Sequence, residues 1–84
     1  MYELIFDKKA IEHLNKLDYK LKERIFKKIE STQGKPFRYF ERLTGRKEYK
    51  LRVGDYRIIA DIDENSKIIK IILIMHRRNI YKKY

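Results

Sequence analysis

Residues 48–62, EYKLRVGDYRIIADI, constrain the fold more than any other stretch of this chain. Apolar and polar residues alternate on both sides of Gly54-Asp55, a pair suited to closing a two-residue β-hairpin. With the turn there, Val53 pairs with Tyr56, Arg52 with Arg57, Leu51 with Ile58 and Lys50 with Ile59. Side chains opposite each other share a face. One face is then Tyr49, Leu51, Val53, Tyr56, Ile58, Ala60 and Ile62, all apolar or aromatic, and should cover the core. The other carries Glu48, Lys50, Arg52, Arg57, Ile59 and Asp61, so the hairpin's cations gather on the side away from that core.

The flanking segments supply what the apolar face packs against. Tyr2–Phe6 alternates as a short strand, with Tyr2, Leu4 and Phe6 on one side. Asp7 and Asp18 each stand where a side chain caps a helix. Ala10, Ile11, Leu14 and Leu17 recur at helical spacing, as do Leu21, Ile25, Phe26 and Ile29. Lys20, Lys22, Glu23, Arg24, Lys27 and Lys28 form the outer face of the second helix. Gly34 is placed to end it and Pro36 to prevent its continuation, giving a helical hairpin over 8–33.

Residues 35–47 have no clean period and read as a connection anchored by Phe37, Tyr39, Phe40 and Leu43, broken at Gly45. DENSK (63–67) is turn-like and IIKIILIM (68–75) a strand. Lys70 must avoid the core, so Ile69, Ile71, Leu73 and Met75 are expected on the apolar face. Ile68, Lys70, Ile72, Ile74 and His76 then fall on the cationic face. A basic tail, HRRNIYKKY, follows.

Composition narrows the function. The 84 residues suffice for one domain, spanning 1–84. There is no cysteine, and His13 and His76 are too few and too far apart to suggest a zinc site by spacing. No cofactor motif is present. No apolar run reaches membrane-spanning length and the N-terminus lacks a signal-peptide pattern, so a soluble, cytoplasmic protein without a membrane role is expected. The formal charge is +10, from 22 Lys and Arg against 12 Asp and Glu. That surplus favours a polyanionic partner, most simply nucleic acid, over a merely solubilising surface.

Arg52 facing Arg57 sharpens this. Like charges opposed across a ladder are unfavourable, and an anion held between two guanidinium forks would relieve the repulsion. Neutralisation by Glu41, Glu48 and Asp61, or arginines splayed into water, would relieve it without a ligand.

The stretch YKLRVGDYRIIADI, followed by HRRNIYK and preceded by a helical hairpin, resembles the RelE/ParE superfamily of toxins from prokaryotic type II toxin–antitoxin pairs, on the RelE side. The resemblance covers nearly the whole chain. It implies an α+β fold with two N-terminal helices packed on one face of a small, mostly antiparallel sheet, in agreement with the hairpin register. It also implies a metal-independent endoribonuclease that cleaves mRNA on the ribosome, and an acidic, helical, RelB-like antitoxin as partner. Lys50, Arg52 and Arg57 match the family's cationic strand positions and would hold the scissile phosphate. Arg77 matches a C-terminal arginine on the phosphate or leaving group. Tyr81, or less fittingly Tyr84, matches a tyrosine that stacks on a base or donates a proton. Glu41 and His76 stand where some members carry an acid–base pair; other members use a closely spaced lysine pair, of which this chain has Lys50 alone, with Glu48 in the other place. His76 as a packing or capping residue, and Tyr81 as a packing anchor, are the bland alternatives.

Two other readings share these residues. A ParE-like toxin would inhibit DNA gyrase by protein contact, without nuclease chemistry. A basic RNA-binding module without activity would use the arginines alone.

Overall fold

The structure, a computed structural model, describes the backbone of residues 1–83 and side chains through Ile80. Strands β1 (Glu3–Phe6), β2 (Glu41–Arg42), β3 (Tyr49–Val53), β4 (Tyr56–Asp63) and β5 (Ile68–His76) form one sheet in the order β1-β5-β4-β3-β2. The β1–β5 pair is parallel and the rest are antiparallel. Helices α1 (Lys8–Asn15) and α2 (Tyr19–Ser31) form the expected hairpin on one face, and α3 (Arg77–Lys83) follows β5 directly. The α+β class read from the sequence is the observed one.

The two N-terminal helices start differently. Asp18 accepts a hydrogen bond from Leu21 N at 3.0 Å and caps α2. Asp7 holds the equivalent position before α1, but its side chain makes no capping bond. At the other end α2 stops at Thr32, ahead of Gly34; the buried Thr32 hydroxyl donates to Ile29 O at 2.7 Å. Gly34 therefore does not supply the stop. The connecting segment is more ordered than its sequence suggests, with a short 3₁₀ turn at Pro36–Arg38, Phe40 buried, and β2 paired to β3.

Between helices and sheet lies the main core. Ile25, Ile29, Ile58, Ile69 and Ile71 are fully buried there, each contributing about 1.5–3 kcal/mol by removal from water. The β3–β4 register is the one read from the sequence, pair by pair. Gly54 has φ +57 and Asp55 does not share the left-handed region, the pattern of a type II′ turn.

Strand β5 departs from the expectation at one point. Ala60 pairs with Ile71 but Ile59 pairs with Leu73, so Ile72 is an extra residue in the ladder. Such a bulge reverses the facing of everything beyond it. Ile69 and Ile71 take the helix face as expected. Leu73 and Met75 instead join Ile59 on the opposite face, while Ile74 and His76 turn to the helices. The reversal has a use: Ile59 and Leu73, with Leu43, Ile72 and Met75 around them, form a second small core that seats Ile80 of α3. The face opposite α1 and α2 is therefore partly roofed by α3. No helix among the described residues is long and apolar enough to cross a membrane.

Candidate functional site

Around the β3–β4 turn the fold gathers cations from three elements. Lys50 and Arg52 stand on β3 and Arg57 on β4, all on the face away from α1 and α2. Arg52 lies opposite Arg57, as expected. Arg77 begins α3; its backbone N donates to Asp55 O at 2.8 Å, which fixes it beside the same turn. Its Nε lies 3.9 Å from Asp55 Oδ1, an exposed pair that contributes little. Glu41 is the register partner of Lys50, which brings one carboxylate to the same face.

The opposed arginines resolve their repulsion by diverging. Arg52 is exposed. Arg57 is only 4% exposed, and its Nη1 donates to Gly54 O and Tyr56 O, each at 2.9 Å. Its Nε is buried without a hydrogen-bond partner. Among the described residues no carboxylate lies within ion-pair distance of Lys50, Arg52 or Arg57. Arg57 thus clamps the turn from beneath with a charge that only carbonyl dipoles answer, a costly arrangement for a purely structural residue.

His76 does not join this group. The bulge at Ile72 turns it to the helix side, opposite Tyr56, with ring centroids 5.4 Å apart. There it lines a cleft with His13, Lys16 and Leu17 of the α1 end, and its Nδ1 accepts from Arg78 N at 3.2 Å. The expected Glu41–His76 acid–base pair is therefore split between the two faces of the sheet. The side chain of Tyr81, and Tyr84 altogether, lie outside the described residues.

One residue escaped the sequence reading. Gly54 packs under the Arg24 guanidinium: a Cβ there would come within 3.2 Å of Arg24 Nη1. Arg24 was legible as part of a solvated helix face, but nothing local in the chain says which strand that face meets.

Comparison with known proteins gives the class. The sequence model of the ParE toxin of type II toxin–antitoxin systems, parDE, matches residues 4–81. The chain belongs to this family, and is a toxin of the RelE/ParE type. A search of curated proteins finds no match. Among solved structures, the fold is similar to the RelBE2 toxin–antitoxin complex of Mycobacterium tuberculosis, with a TM-score of 0.83 at 23% identity over 90% of this chain and 98% of that one. It is similar also to the intact RelBE complex of E. coli (0.77, 22%, 90% and 96%). A third likeness is to the RelB–RelE complex of Methanococcus jannaschii (0.74, 24%, 95% and 98%).

Proposed function

We propose that this toxin is a metal-independent endoribonuclease that cleaves mRNA on the ribosome and so inhibits translation. The observation that carries the reading is that Lys50, Arg52 and Arg57 share one sheet face and Arg77 is fixed beside its turn, without a matching set of carboxylates in ion-pair range among the described residues. In the reaction the 2′-oxygen forms a bond to the neighbouring phosphorus, the P–O5′ bond breaks, and a proton passes from the 2′-hydroxyl to O5′. Lys50, Arg52 and Arg77 take the extra charge on the phosphate oxygens. Arg57 holds the turn that positions them and adds its field from below. Glu41, the register partner of Lys50, is a carboxylate on that face suited to accept the 2′-hydroxyl proton. Tyr81 stacks on a base or protonates the leaving oxygen. The partner is an acidic, helical antitoxin segment that covers the cationic face. Action on ribosomes would put the toxin in the cytoplasm.

A second reading is favoured by the family match itself and by the separation of His76 from Glu41: a ParE-type toxin that inhibits DNA gyrase by contact and cuts nothing. One experiment separates the two. Purified toxin is added to translating ribosomes with transcript ends mapped, and in parallel to a gyrase supercoiling assay. New transcript ends that persist with a chelator and vanish in Arg77→Ala support cleavage; intact transcripts with inhibited supercoiling overturn it in favour of gyrase.

A further inference from the structure

Arg24, Lys27, Lys28 and Ser31 lie at i, i+3, i+4 and i+7 of α2 and so form one strip along the helix. This strip faces Arg52, Val53 and Gly54 across a cleft of about 450 Å³. None of the lining residues is acidic. Lys27 is paired with Glu23 at 3.0 Å and Lys28 Nζ stands 5.0 Å from the Tyr39 ring centre. Arg24 and Arg52 have no carboxylate in ion-pair range among the described residues. Beyond the turn, Arg57 and Arg77 are fastened to Gly54 O and Asp55 O. The β3–β4 turn is thus a saddle with cations on both slopes, and Arg52 belongs to both.

The geometry points to a second phosphodiester-binding site in this cleft, which takes the sugar–phosphate backbone of a single RNA strand where it crosses the turn from the Lys50–Arg52 face. The inference rests on the RNA reading above and extends it from one linkage to a track. A phosphate backbone needs only charge and donors, which Arg24, Lys28 and Arg52 provide, with Lys27 shared with Glu23; the Ser31 hydroxyl already donates to Lys28 O at 2.6 Å. An acidic amphipathic peptide needs apolar anchors as well, and here Val53 alone is apolar. The apolar groove on α2 belongs to a different strip, with Leu14, Tyr19 and Phe26.

The test measures binding of a non-cleavable 2′-O-methyl oligonucleotide, long enough to cross the turn, across a salt titration. It compares the wild-type chain, Arg24→Gln/Lys28→Gln, and a charge-matched control, Lys8→Gln/Lys9→Gln, at the far end of α1. A poly-glutamate peptide serves as the alternative ligand. The cleft variant should bind the oligonucleotide about tenfold more weakly, and its log–log salt slope should flatten by about 0.7 for each phosphate that is no longer neutralised. Its melting temperature and the control's slope should stay at wild-type values. An unchanged slope in the cleft variant, an equal flattening in the control, or weakened peptide binding with RNA binding intact would each overturn the proposal. If the cleft-dependent slope appears while ribosomal transcripts remain uncut, the cleft stands and the cleavage reading falls.

Discussion

Arg57 sits at the balance point between stability and chemistry. Its two hydrogen bonds to Gly54 O and Tyr56 O are of the charged kind, worth roughly 1.5–3 kcal/mol each. Against them stand the several kcal/mol of taking a guanidinium out of water and an orphaned Nε. These terms nearly cancel, so an apolar side chain of similar length should be tolerated. Arg57→Met is expected to stay within about 1 kcal/mol of wild type in urea unfolding, and to lose transcript cleavage. Arg57→Ala, which also opens a cavity, should cost about 2–4 kcal/mol. A Met variant as unstable as the Ala variant would make the guanidinium a structural device. The sequence disclosed that Arg52 and Arg57 oppose each other, because the two-residue turn fixes the register. It did not disclose that one would turn to water and the other to carbonyls, since that depends on how closely Met75 and the turn shut around Arg57.

At the scale of elements, legibility followed the strength of local signals. The α1–α2 hairpin and the β3–β4 hairpin were readable because period and turn chemistry agree. The bulge in β5 was not: IIKIILIM is apolar almost throughout, so alternation carries no mark where one residue is doubled. That single residue decides that His76 leaves the candidate site. The α3 helix was equally hidden, because HRRNIYKKY carries a single aliphatic residue, Ile80, and no apolar stripe at helical spacing. Ile80 is 3% exposed against Ile59 and Leu73. Ile80→Ala is therefore expected to cost about 2–4 kcal/mol and to unseat α3, seen as a weaker helical signal in far-UV circular dichroism. Retained helicity with unchanged stability would show that α3 is held by something else. The β4–β5 turn shows a smaller effect of the same kind. Hydrogen bonds from the Ser66 hydroxyl, then from the Ser66 and Asn65 amides, hold the Asp63 carboxyl below the usual carboxylate range. That stabilisation is present above the unfolded-state value and fades as pH falls through the folded one.

On the scale of the whole molecule, a charge of +10 coexists with exposed Ile11, Tyr19 and Phe26 on the two N-terminal helices. Isolated exposed apolar residues need no explanation, but beside so basic a surface they suit a partner that is both acidic and amphipathic. The product of the neighbouring gene should co-purify with this chain and relieve its growth arrest. Independent migration of the two on size exclusion, with arrest undiminished, would exclude that product as the antitoxin.

The parallel pairing of β1 with β5 carries a consequence for synthesis. The amino-terminal strand has no ladder to join until the last strand exists, and Ile69, Ile71 and Ile74 complete the main core only then. A pairing that spans nearly the entire sequence closes late. Until β5 has left the exit tunnel, the nascent chain therefore lacks both the ladder partner of β1 and one wall of its main core, and folding to the native sheet waits on that strand.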